Sequence, residues 1–161
     1  DSLMYMYVTT PEPGNPRYEK SQLAAAMRSK LTVVPPDIAA LREQITDNSG
    51  VVYRPLEWMF MDGPWHKGRV VLLGDAVHAT TPHLASGAGM AVESAIVLAL
   101  ELEAADNTEA ALAAYEERRF ERCRDIVESS IAIGAAQLGG AGGEQVGAMI
   151  GAASHRLMAP F

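Results

Sequence analysis

Cysteine is nearly absent: the 161 residues hold one, Cys123. A single cysteine excludes an internal disulfide and suits a reducing, cytoplasmic setting; on a helix facing Phe120 and Val127 it reads as a small core residue. Positive charge is scarce as well. Thirteen Lys and Arg against twenty Asp and Glu give a net charge of −7, and no basic patch offsets it, which excludes nucleic acid and an anionic membrane surface as partners. Long apolar runs suited to a bilayer are lacking. Ile131 to Ala153 carries only Glu144 as a charge and repeats Gly143, Gly147 and Gly151, but it is built of Ala and Gly, and Gly139-Gly140-Ala141-Gly142-Gly143 breaks it midway. The expectation is a helix of about 144–158, packed on its neighbour or on a twin subunit in a homodimer. Metal spacing is missing too, because His78 and His83 are not an i,i+4 pair and have no acid at ligand spacing. His66 and His155 read as surface residues.

The remaining composition is that of a globular chain, 48% hydrophobic and 20% charged. Its most informative stretch runs from Gly68 to Pro82: an apolar strand, residues 69–73, stops at Gly74 and delivers Asp75 to its carboxyl end, where open α/β sheets place their ligands. After a loop, Gly87-Ala88-Gly89 opens an apolar helix over 87–104, whose free N–H groups and positive dipole end suit an anion or an electron-rich ring.

The order of strand, Gly74-Asp75-Ala76-Val77-His78, Pro82 and Gly87-Ala88-Gly89 resembles the second flavin-binding signature of single-component FAD-dependent aromatic-ring monooxygenases, the p-hydroxybenzoate and salicylate hydroxylase type. About thirty residues carry the match. The resemblance implies cofactor-binding roles for Gly74, Asp75, Pro82, Gly87, Ala88 and Gly89: a ribityl hydroxyl of FAD on Asp75, the Pro82 backbone toward the reactive edge of the isoalloxazine, and helix-start N–H groups on the pyrimidine carbonyl beside N1. Physical chemistry agrees, since a carboxylate accepts from a hydroxyl and helix-start N–H groups favour the charge of a reduced flavin. Val77 replaces an alanine, Ala85-Ser86-Gly87 and Gly89 stand where many members carry Gly-Gln-Gly and an Asn, and Ser94 takes the place of a common Asp. His78 reads as a loop anchor. His83, next to Pro82, is the candidate catalytic residue.

The family's other element, a G-x-G-x-x-G after an N-terminal strand, does not occur, and Gly87-Ala88-Gly89 follows a long loop, not a tight strand-to-helix turn. The chain opens at Asp1 without an initiator Met. It therefore reads as the C-terminal part of a longer enzyme, with the missing N-terminal part of the same polypeptide and a small-molecule substrate as partners. The expected fold class is α/β, α+β for the fragment alone: the C-terminal part of a Rossmann-like FAD/NAD(P)-binding fold with a piece of substrate-domain sheet and C-terminal helices. Residues 1–62 form the tail of the substrate domain, with a strand over 3–9, helices over 17–30 and 37–46 and a long strand over 51–61 in which Pro55 marks an edge or bulge. Residues 63–105 are the returning flavin-binding segment. Residues 106–161 are helical, opened by a capping box from Asp106 to Glu109, with Phe120, Cys123, Val127, Ile131, Gly134 and Leu138 on the buried face and Glu116, Glu117, Arg118, Arg122 and Asp125 on a solvated one. By the same resemblance the complete enzyme uses NAD(P)H and O₂ to hydroxylate an activated, aromatic, salicylate-like substrate on FAD, the fragment alone being inactive. A flavoprotein acting on a non-aromatic substrate and a non-catalytic flavin-binding module are the alternatives.

Overall fold

A computed structural model describes residues 5–161 and divides the chain into two compact units, Asp1–Pro55 and Leu56–Phe161. Of the expected strand over 3–9, Leu3 and Met4 lie outside the described residues, and residues 5–9 belong to no element.

The first unit holds two short helices, α1 (Leu23–Lys30), entered through a 3-10 turn at Lys20–Gln22, and α2 (Pro36–Glu43). Both are shorter than expected. Pro36 opens α2 at a position where its missing N–H is no loss. Few apolar residues are buried here, Ala24 and Leu31 among them, so polar ties carry much of the geometry. Asn48 Oδ1 accepts from Ala24 N–H at 2.9 Å, Arg42 donates to the Leu31 carbonyl at 3.0 Å, and Glu12 holds Lys30 at 2.8 Å.

The second unit is mostly helical. Three two-residue strands are found: β1 (Met59–Phe60), β2 (His66–Lys67) and β3 (Val70–Val71). β2 and β3 pair antiparallel, His66 opposite Val71, while β1 makes isolated antiparallel bridges to Ala79 and His78. The long strand over 51–61 is thus reduced to β1, and the buried strand over 69–73 to half of a hairpin with Val70 68% exposed. The reason is the same in both cases: a strand exists through its ladder, and among the described residues each stretch is paired over only two residues.

Four helices follow, α3 (Asp75–His78), α4 (Gly87–Ala104), α5 (Thr108–Leu138) and α6 (Gly143–Leu157). α4 has the expected bounds. α5 starts one residue later than the proposed capping box, because Asn107 and not Asp106 is the cap, its side chain accepting from Ala110 N–H at 3.0 Å. Its end lies where the glycines begin: Gly140 takes φ +81°, and Ala141 N–H returns to the Ala136 carbonyl at 2.9 Å, closing the helix before α6. Trp65, Val77, Met90, Val97, Tyr115, Cys123 and Ile126 form the core, with Phe60 edge-on to both Trp65 and Phe120. No helix among the described residues is long and apolar enough to cross a membrane.

Candidate functional site

Gly74 must be glycine for two reasons. Its φ of +62° lies in the left-handed region, and a Cβ there would stand 3.3 Å from the Cβ of Ala91, so α4 rests directly on the turn. The Gly74 carbonyl then accepts from the N–H groups of Val77 and His78 at 3.0 and 2.9 Å, winding the single turn α3. Asp75 is the first residue of that turn. It is exposed, and its carboxylate has no hydrogen bond or ion pair among the described residues.

The start of α4 is equally unclaimed. Met90 N–H is the first to find a helical acceptor, the Ser86 carbonyl at 2.9 Å, so the N–H groups of Gly87, Ala88 and Gly89 are left over. Ser86 gives no side-chain cap, the first turn holds no acid, and Ser86 Oγ is buried without a partner. A Cβ on Gly89 would meet nothing within 4 Å, whereas one on Gly87 would press on Thr80 at 3.3 Å. Orphaned donors beside open space, with an orphaned carboxylate on the adjoining turn, fit a ligand that offers a hydroxyl to Asp75 and an anionic or carbonyl oxygen to the helix.

Pro82 opens a 3-10 turn, Pro82–Leu84, and is exposed. His83 is half-buried, its Nδ1 2.8 Å from Thr81 Oγ1. Among the described residues no group of three or more His, Cys, Asp or Glu is disposed to hold a metal ion.

Behind α3 lies a polar network. His78 is fully buried, with Nε2 3.0 Å from Ser94 Oγ and Nδ1 unpartnered. Arg119, also fully buried, donates to Ser94 Oγ at 3.2 Å, to Glu93 at 2.9 Å and to the Met90 carbonyl at 3.4 Å. Arg122 grips both oxygens of Glu93 and donates to the carbonyls of Arg156 and Leu157 at the end of α6. Burial, opposed in part by a backbone contact and reinforced by the Arg119 charge, lowers the His78 pKa from its ordinary value. Burial works against the ionised Glu93, but hydrogen bonds from Arg122 and Arg119 outweigh it and hold the carboxyl below the usual range. Tyr115, whose hydroxyl donates to the Leu72 carbonyl at 3.3 Å, is pushed up to about 12 by burial.

This network corrects part of the expected solvated face. Arg122 is engaged as described, and Glu116 accepts from Trp65 N–H at 2.8 Å and contacts His66 Nδ1 at 3.1 Å, so His66 is a paired residue. Arg119 is a site residue that the sequence reading does not single out. Its signal was positional: it sits seven residues after Leu112 and seven before Ile126, on the apolar stripe.

Residues 37–130 match a family model described as an FAD binding domain. The chain is 32% identical over 130 residues to an FAD-dependent urate hydroxylase of Mycolicibacterium vanbaalenii, covering 79% of this chain and 32% of that protein. It is 48% identical over 64 residues to a 6-hydroxynicotinate 3-monooxygenase of Pseudomonas fluorescens, covering 38% of this chain and 17% of that one. Among solved structures, a Klebsiella pneumoniae HpxO variant complexed with FAD superposes with a TM-score of 0.70 at 26% identity, over 92% of this chain and 39% of that chain. The chain thus spans a third or less of the length of these curated relatives.

Proposed function

The chain belongs to the FAD-binding domain family, and from that premise we propose that it supplies the isoalloxazine-facing part of an FAD-dependent monooxygenase. The observation that carries the reading is the pairing of an unpartnered Asp75 carboxylate with three unclaimed N–H groups at Gly87, Ala88 and Gly89, joined through the Gly74–Ala91 contact. Asp75 takes a ribityl hydroxyl of the cofactor. The α4 start, free of acidic residues in its first turn, takes the oxygen beside N1 and favours negative charge there. Gly74 holds the approach close, and Pro82 presents its backbone to the ring. FAD bound there supplies the acceptance of reducing equivalents from NAD(P)H and the activation of O₂.

The substrate in this proposal is a small, electron-rich aromatic compound of salicylate-like type, which the aromatic substrates named for relatives support. Residues 1–62 serve as the tail of a substrate domain, 63–105 as the returning segment of a Rossmann-like FAD domain and 106–161 as its helical cover. The partner is the remaining part of the same fold. Supporting this, α4 exposes a stripe of Val92, Ile96 and Leu100, and β3 and its sequel expose Val70 and Leu72, an apolar surface that a soluble helix ordinarily covers. A cytoplasmic setting belongs to the same proposal and agrees with a single, buried Cys123. The test is the complete polypeptide, purified and dialysed against FAD. Retained visible flavin absorption that NAD(P)H bleaches, faster with an aromatic acid present, is expected; a colourless protein that gains no flavin overturns the reading.

A further inference from the structure

Gly134 lies one turn before the end of α5, at a helical position where alanine would be the better helix former. Its place is explained by a ring. A Cβ at 134 would stand 2.5 Å from Cε1, 2.9 Å from Nε2 and 3.0 Å from Nδ1 of His83, so the imidazole fills the space that any side chain at 134 would need. The ring is also held from the other side. Ser130, one turn earlier on α5, places Oγ 2.8 Å from the Thr81 carbonyl and 2.7 Å from Thr81 Oγ1. Each hydroxyl has one hydrogen. With the Ser130 hydrogen given to the carbonyl, the Thr81 hydrogen goes to Ser130 Oγ, and Thr81 Oγ1 accepts from His83 Nδ1–H at 2.8 Å. Thr81 and His83 are therefore both tied to α5, and Pro82 is the residue between them. On the far side, Ala85 N–H closes the turn onto the Pro82 carbonyl at 3.0 Å with Ala85 at φ +51°, a conformation that a residue with a Cβ rarely adopts unless its surroundings impose it.

We propose that His83 is a positioning residue, seated against Gly134 of α5 and donating to Thr81, which fixes the Pro82 turn at the height the flavin requires. This rests on the FAD reading above and replaces the catalytic role expected for His83 with a mechanical one.

The test uses the complete protein and compares Gly134→Ala, His83→Ala, the double variant and His83→Asn. Four quantities are read: the thermal midpoint of the apoprotein, the affinity and the visible spectrum of bound FAD, and turnover. Gly134→Ala should lower the midpoint, because the new methyl evicts the ring. In the His83→Ala background the same change should raise it, because only the better helix propensity is left. Gly134→Ala and His83→Ala should each weaken FAD by severalfold to about tenfold and shift its spectrum, without adding in the double variant. His83→Asn retains a side-chain N–H donor for Thr81 and should restore both FAD affinity and turnover. Additive effects at 83 and 134 overturn the proposal. So does loss of turnover in His83→Asn with FAD binding intact, which would mark His83 as a proton-transfer group. A wild-type protein that takes up no FAD overturns the parent reading instead, and the sign reversal in the apoprotein still reports separately on the seat at Gly134.

Discussion

Replacing Asp75 by alanine separates binding from folding more cleanly than any other change at this site. The carboxylate is exposed, bonds to nothing among the described residues and sits on a helix of a single turn, so its removal should change the stability of the apoprotein by no more than about 0.5 kcal/mol. On the proposed reading the same group accepts a ribityl hydroxyl of FAD as a charged partner, a bond worth about 1.5–3 kcal/mol. FAD affinity should therefore fall by about tenfold to a hundredfold. Asp75→Asn keeps an acceptor and drops the charge, leaving a bond of about 0.5–1.5 kcal/mol, so its loss should be intermediate. The assay is a fluorescence titration of FAD into the stripped complete protein, with urea midpoints recorded in parallel. Undiminished affinity in Asp75→Ala would refute the assignment and leave Asp75 a turn residue. A fall in stability as large as the fall in binding would refute the claim that the carboxylate has no structural partner.

Two further outcomes follow from the network behind the turn. Arg119→Met removes a fully buried guanidinium from Glu93 and Ser94; breaking a buried pair costs about 3–5 kcal/mol, and because Arg122 still grips Glu93 the loss in chemical denaturation should lie near the lower end, whereas a loss under about 1 kcal/mol would mean that Arg119 only fills space. His78 has a lowered pKa in the folded protein, facing Arg119, Asp75 and Glu93, so the unfolded chain binds its proton first as pH falls: stability is full above the ordinary value of 6.5 and declines below it toward the folded pKa. Glu93 adds a separate loss only below its ordinary 4.5. Urea midpoints from pH 8 to pH 5 should show the first decline, and His78→Gln should flatten it; an unchanged slope in that variant would assign the titration elsewhere.

The sequence and the fold agree where a local signal decides the outcome. α4 was legible because a nearly uncharged run opened by Gly87 and Gly89 allows few other structures, and the break between α5 and α6 was legible because consecutive glycines cannot continue a helix. The strands were not. Period and β-propensity show that residues 51–61 and 69–73 suit an extended chain, but they do not say which backbone pairs with them, and the hairpin of β2 with β3 comes from the tight turn at Gly68, φ +58°. Within the candidate site, the turn at Gly74 and the place of Asp75 directly after it could be read from their order along the chain. Arg119 and Glu116 were hidden among neighbouring charges, since composition averages over the faces of a helix and only the seven-residue spacing from Leu112 separates a buried arginine from an exposed one. Gly134 was placed on the buried face, but its contact with His83 links residues 51 positions apart, and no local rule carries such information.

The central claim is that the turn at Asp75 and the start of α4 face the flavin together. A crystal structure of the complete protein loaded with FAD tests it most directly. The account predicts a ribityl hydroxyl on Asp75 and the flavin oxygen beside N1 about 3 Å from the N–H groups of Ala88 and Gly89, with the apoprotein hydrogen bonds of His78 and Arg119 unchanged. A flavin bound with its ring away from both elements, leaving those N–H groups to water, would contradict it.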